Sequence, residues 1–238
     1  MGDGPWRCCG ARPGNGRLNR VMNTLLLDLD GTIIDSDPVH AQVFIDLMAE
    51  YGKTMDEPLY YKAIHGRQNV EIFAELLPDT DPQAMSVLKE ARYRERIAEV
   101  TLIAGLHDFI ARVRDAGWKV GMVTNAPRAN ADAAIGAFDL HDAFDTIVVG
   151  DECARGKPDP LPYLTALANL GGTASATLAV EDSPAGIRSA VGAGLHTFGM
   201  RSSLPAAALI AAGAHDTIAD YNDIALRTML DRLTGATP

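Results

Sequence analysis

The chain has 238 residues, 47% hydrophobic and 22% charged, which suits one large packed domain or a core with a smaller insert. A net charge of −10 argues against a general nucleic-acid or anionic-membrane surface, and no stretch approaches the roughly 18 apolar residues of a membrane span. The cysteines, Cys8, Cys9 and Cys153, are odd in number and two are adjacent, so they form no disulfide framework and point to a reducing, cytoplasmic compartment.

Residues 1–20 are rich in Gly and Arg and lack an apolar signal core. They read as a disordered extension, with Met22 near the functional start. An aliphatic run then predicts a buried strand over Thr24–Leu29. After Asp35-Ser36-Asp37-Pro38 the period changes to helical. Val43, Phe44, Leu47, Met48 and Tyr51 share one face, and Gly52 ends it. Helices are expected near Asn69–Leu77 and Pro82–Ala98, with no strand between Pro38 and Val100. This stretch reads as an all-helical insert. From Leu102 onward strands and helices alternate. A helix marked by Leu106, Phe109, Ile110 and Val113 closes at Gly117. Strands are predicted at Val120–Thr124, Thr146–Val149, Thr177–Val180 and Leu195–Phe198, and a weak one at Thr217–Ile218. Helices are predicted at Arg128–Ala137, Pro160–Leu170, Pro184–Ala193, Leu204–Ala212 and Asn222–Leu230. Alternation of this kind implies an α/β fold, a doubly wound parallel sheet with right-handed crossovers.

Polar residues cluster where the strands should end. Asp28 and Asp30 lie two apart, so on a strand both carboxylates face one way. Unit charges about 4 Å apart repel by about 4 kcal/mol at an effective dielectric near 20, an arrangement that suits a cation site. Thr124-Asn125-Ala126-Pro127, Gly156-Lys157-Pro158 and Glu181-Asp182-Ser183-Pro184 sit at later strand–helix junctions. In a parallel sheet all converge on one edge. Each alone has an ordinary reading as a turn or a capped helix start.

Taken together and in that order, the four motifs resemble the haloacid dehalogenase superfamily of aspartyl phosphotransferases. The helical insert matches the branch with a helical cap, and within it the chain resembles phosphatases related to β-phosphoglucomutase and phosphoglycolate phosphatase. The resemblance covers roughly residues 22–230. It implies a Rossmann-like core of residues 21–36 and 102–238 and a helical cap of residues 37–101, hinged near Asp35–Pro38 and Thr101–Gly105. It also implies a Mg²⁺-dependent phosphatase acting on a small phosphorylated metabolite, such as a sugar phosphate or phosphoglycolate. Asp28 would be the nucleophile and Asp30 the acid and base, its proton favoured by neighbouring negative charge. Mg²⁺ would bind Asp28, the Asp30 carbonyl and Asp182, with Glu181 orienting a bound water. Thr124 and Lys157 would hold the phosphoryl oxygens, assisted by amides near Asn125 and Gly31. Asn125, Arg67 and His40 are the expected substrate contacts. The expected assembly is a monomer or weak homodimer.

Two other readings follow from the same residues. A phosphosugar mutase needs a second phosphate site in the cap. Arg67 directly after Gly66, and Pro127-Arg128 in the second motif, depart from what such a mutase is expected to carry. A phospho-accepting regulatory or binding domain lacks both an Asp two residues on and a helical cap.

Overall fold

A computed structural model of the chain describes residues 23–234. The expected extension at residues 1–20 lies outside them. In chain order the elements are β1 (Thr24–Leu27), β2 (Ile34–Asp35), α1 (Asp37–Glu50), α2 (Glu57–Ala63), α3 (Asn69–Leu76), α4 (Pro82–Glu95), β3 (Thr101–Leu102), α5 (Leu106–Asp115), β4 (Lys119–Thr124) and α6 (Arg128–Ala137). There follow β5 (Thr146–Val149), α7 (Leu161–Leu170), β6 (Thr177–Glu181), α8 (Pro184–Gly192), β7 (His196–Met200), α9 (Ala206–Ala212), β8 (Asp216–Ile218) and α10 (Ile224–Thr234).

Six strands form one parallel sheet in the order β5-β4-β1-β6-β7-β8. β1 is central and entirely buried, which is why it reads as an unbroken aliphatic run. Its side chains divide between two cores. Leu25 and Leu27 join Phe109, Val113, Ala131 and Leu230 on the face covered by α5, α6 and α10. Leu26 joins Tyr163, Leu167, Leu170 and Ala190 beneath α7 and α8. This is the predicted doubly wound sheet. The chain leaves β1 towards β4 and β5, then returns to build β6, β7 and β8 on its other side. The carboxyl ends of β1, β4 and β6 therefore flank the crevice where open α/β sheets bind ligands.

The helices α1–α4 have a core of their own, built from Phe44, Leu47, Met48, Tyr60, Ile72, Phe73 and Met85. Two connections join them to the sheet. At this crossing, β2 and β3 pair antiparallel, Ile34 with Leu102 and Asp35 with Thr101.

Several expectations shift. β1 stops at Leu27; the Asp28 amide still donates to the Val180 carbonyl at 3.1 Å, while Asp30 lies beyond the strand at the turn that follows. The turn is closed by the amides of Thr32, Ile33 and Ile34, all donating to the Leu29 carbonyl. Strand alternation is thus not what brings the two carboxylates to one site. Helix α2 is absent from the sequence reading. It has 7 residues, too short for a periodic apolar pattern, and it starts where the Asp56 side chain accepts from the Leu59 amide. The β2–β3 pair was also unread, because two-residue strands carry no alternation.

Candidate active site

The three sheet-edge segments bring Asp28, Thr124, Glu181 and Asp182 together, and the loop after β5 adds Lys157. Asp28, Glu181 and Asp182 are buried, and each offers a carboxylate oxygen within 4.8 Å of the others. Lys157 lies among them. Its Nζ donates to Asp28 Oδ1 at 2.6 Å, to Glu181 Oε1 at 2.5 Å and to the Val123 carbonyl at 2.7 Å. All three ammonium protons are thereby used. The Tyr163 hydroxyl on α7 adds a fourth element by donating to Glu181 Oε1 at 2.7 Å.

Three buried carboxylates around one lysine leave an excess of negative charge. Burial first, then the charge of Glu181, pushes Asp28 up to about 8 despite Lys157 beside it. Asp182 is raised well above its ordinary value, again by burial and then by Asp28 and Glu181. Burial alone would lower Lys157, but Asp28 and Glu181 hold it above the usual lysine range. The donor set is entirely hard oxygen, the kind that Mg²⁺ prefers. A divalent cation would balance it and return the carboxylates to their ionised forms.

Two glycines let the backbone pack against these acids. Gly31 has φ +68°, and a Cβ there would collide with the Asp182 carboxylate. A Cβ on Gly186, in the first turn of α8, would collide with the Glu181 carboxylate. Ser183 caps the same helix by accepting from the Gly186 amide at 3.0 Å.

Asp30 belongs to a second set of contacts. Ser36 Oγ donates to its Oδ1 at 2.6 Å, and His40 Nε2 lies 3.7 Å from the same oxygen. The His40 ring stacks on Tyr93, centroids 3.9 Å apart, and its Nδ1 meets Lys89 Nζ at 2.7 Å. An ammonium can only donate, so Nδ1 is the acceptor and Nε2 carries the hydrogen towards Asp30. Burial would raise Asp30, but His40, Ser36 and the charge of Lys89 hold it below the ordinary carboxylate value. This corrects the expectation that neighbouring negative charge favours its proton. The nearest polar groups to Asp30 are donors.

The Lys89 ammonium also binds Glu90 Oε1 at 2.9 Å. Asn69 donates to that same Glu90 oxygen at 2.6 Å, and Asn130 on α6 donates to Oε2 at 2.6 Å. Arg94 then donates to Asn130 Oδ1 at 2.8 Å. A polar chain thus runs from Asp30 through α1 and α4 to α6. Ser36, Lys89, Glu90, Asn130 and Tyr163 do not stand out in the sequence, since the contacts that tie them to Asp30, His40, α6 and Glu181 span 6 to 49 residues.

The remaining expected residues are placed as follows. Thr124 is buried and its Oγ1 accepts from the Ala126 amide at 2.9 Å. Asn125 braces the lysine loop, donating to the Lys157 carbonyl and accepting from the Lys157 amide, each at 3.1 Å. Arg67 lines the same cleft but donates to Glu75 at 2.7 Å and to the Ala63 carbonyl at 3.1 Å. Asp37, in the expected hinge, and His65, in the His65-Gly66-Arg67 loop expected to face the core, also line it and meet at 3.0 Å. The hydrogen bond that Asp37 accepts from the His65 ring, and then its charge, hold the His65 pKa above its ordinary value despite burial. The cleft encloses about 950 Å³ between the sheet edge and α1–α4.

Sheet and site together define a doubly wound α/β protein with a buried acidic site at the carboxyl edge of its sheet. Its family follows from the match of residues 25–200 to the model of haloacid dehalogenase-like hydrolases, and the chain belongs to that family. Protein CbbY of Rhodobacter capsulatus is 35% identical over 188 residues, covering 73% of this chain and 83% of CbbY. A phosphorylated carbohydrates phosphatase of Thermotoga maritima is 28% identical, covering 81% of this chain and 92% of that protein. The crystal structure of a CbbY variant from Rhodobacter sphaeroides in complex with xylulose-(1,5)-bisphosphate aligns with TM-score 0.71 at 26% identity, covering 84% of this chain and 95% of that one. Among the described residues no helix is long and apolar enough to cross a membrane.

Proposed function

We propose that this chain is a Mg²⁺-dependent phosphatase that hydrolyses a phosphorylated carbohydrate or similar small phosphomonoester through an aspartyl-phosphate on Asp28. The observation that carries this reading is the buried cluster of Asp28, Glu181 and Asp182 around Lys157 at the carboxyl edge of the sheet. The metal would be held by Asp28, the Asp30 carbonyl and Asp182. When bound, it supplies positive charge against the phosphoryl oxygens. Glu181, fixed by Lys157 and Tyr163, supports this site from behind.

Asp28 attacks phosphorus, and the bond to the leaving oxygen breaks. Asp30 gives its proton to that oxygen. Asp30 then takes a proton from water as the water oxygen attacks phosphorus, the bond from phosphorus to the Asp28 carboxylate oxygen breaks, and inorganic phosphate leaves with Asp28 restored as a carboxylate. Splitting the displacement this way suits a weak nucleophile. His40 and Ser36 hold Asp30 in place and favour its ionised form, the form needed for the second step. The entering phosphoryl dianion raises Asp30 and so supports its protonated form in the first step. Lys157 and Thr124 stabilise the charge on the transferring group, and Asn125 keeps the Lys157 loop in position. Residues 37–101 act as a cap over a core of residues 21–36 and 102–238, with the β2–β3 pair at the hinge.

The test is release of p-nitrophenol from p-nitrophenyl phosphate, with and without Mg²⁺, by wild type and Asp28→Asn. Mg²⁺-dependent release by wild type alone is expected. Equal release by both proteins refutes the reading.

A further inference from the structure

We infer that the leaving-group half of the cleft takes a neutral, polyhydroxylated moiety, a sugar or polyol carrying one phosphate, and that Asp37 with His65 reads its hydroxyls while a second anionic group is rejected. The inference rests on the phosphatase reading and narrows its substrate class.

The first observation is the state of the cations. Four lysine and arginine side chains line the cleft, and each is already held by a carboxylate. Lys157 is committed to the transferring end. Lys89 is buried against Glu90 and His40. Arg67 pairs with Glu75 at 2.7 Å, and Arg155 with Asp159 at 2.7 Å. A second phosphate or a carboxylate on the substrate would meet Lys89 and Arg67 beside their carboxylates, and only exposed Arg155, which gives Asp159 its Nε alone, keeps terminal nitrogens for it.

The second observation is an excess of acceptors away from Lys157. Asp37 and Asp151 line the cleft with no lysine or arginine partner among the described residues. Asp37 uses only Oδ2, towards His65, so its Oδ1 has no hydrogen-bond partner among them. A carboxylate can accept from hydroxyls but can only repel a phosphate. Gln68, Gln83 and Ser86 line the same region, and their side chains make no hydrogen bond among the described residues. Uncharged amides and a hydroxyl are the complement of a sugar's alternating donors and acceptors. Phe44 and Ile72 supply an apolar wall.

The experiment measures kcat/KM of Mg²⁺-loaded protein on matched pairs: fructose 6-phosphate against fructose 1,6-bisphosphate, and xylulose 5-phosphate against xylulose 1,5-bisphosphate. Phosphoglycolate is included as an anionic short substrate and p-nitrophenyl phosphate as a reference. Each monophosphate is expected to exceed its bisphosphate and phosphoglycolate by at least about tenfold, the scale of one unfavourable like-charge contact. Asp37→Asn is expected to shrink that ratio, because the amide no longer repels an anion. Bisphosphates or phosphoglycolate matching or exceeding the monophosphates, while p-nitrophenyl phosphate is turned over, overturn the inference and leave the phosphatase reading intact. An unchanged ratio in Asp37→Asn overturns the role of Asp37. No phosphate release from any compound, p-nitrophenyl phosphate included, overturns the phosphatase reading and this inference with it.

Discussion

Lys157→Met keeps an unbranched stem of similar length and removes the ammonium. In the structure that ammonium satisfies Asp28, Glu181 and the Val123 carbonyl, and the two carboxylates are buried. Removing one partner of a buried ion pair costs about 3–5 kcal/mol, because the remaining charge is left without compensation. For a chain of this size each kcal/mol moves the melting temperature by about 2–4 °C, so the expected fall is on the order of 10 °C. Part of the cost is expected to be recovered in Mg²⁺, because Asp28 and Asp182 regain a positive neighbour. Activity should fall by about 10²–10³ in kcat, the usual effect of losing one preorganised charge at a developing anion. Thermal melts in EDTA and in Mg²⁺, with p-nitrophenyl phosphate turnover, measure both. A variant that melts with wild type in EDTA and turns over at the wild-type rate would refute the assignment of Lys157 as the pivot of the acidic cluster.

Three further outcomes are expected. Tyr163→Phe removes one donor to buried Glu181 and should cost about 1–3 kcal/mol by denaturant titration, with Lys157 still satisfying the same oxygen. Gly31→Ala puts a side chain at φ +68° and against Asp182; the backbone penalty is about 1–3 kcal/mol, and Mg²⁺ affinity measured by calorimetry should weaken. Burial pushes Glu90 up, but Lys89, His40 and Asn130 more than reverse this, leaving it below its ordinary value of 4.5. Its stabilising effect is therefore present above pH 4.5 and lost as pH falls through the lower folded value. Glu90→Gln should be less stable than wild type at neutral pH, with the gap closing in acid; a gap that is constant with pH would rule out the Lys89–Glu90 pair as its source.

The acidic centre was legible because its parts sit at strand ends, and strand ends can be found from apolar runs. Leu25-Leu26-Leu27 before Asp28, and Leu178-Ala179-Val180 before Glu181-Asp182, each mark a buried parallel strand followed by polar residues. The parallel sheet does the rest, since all its carboxyl ends lie on one edge. Strand alternation does not reach from Asp28 to Asp30, because β1 ends at Leu27. There the turn around the Leu29 carbonyl, and not a pleat, sets the geometry.

Local order thus determined the sheet, its helical insert and the chain positions of Asp28, Asp30, Thr124, Lys157, Glu181 and Asp182, because periodicity and turn chemistry act over a few residues. Only tertiary structure decided that Tyr163 backs Glu181, that His40 and Ser36 hold Asp30 ionised, and that the cleft's arginines are already paired. Those outcomes depend on distances between side chains from separate helices and loops. Such distances follow from packing, which a linear pattern of residue types does not encode.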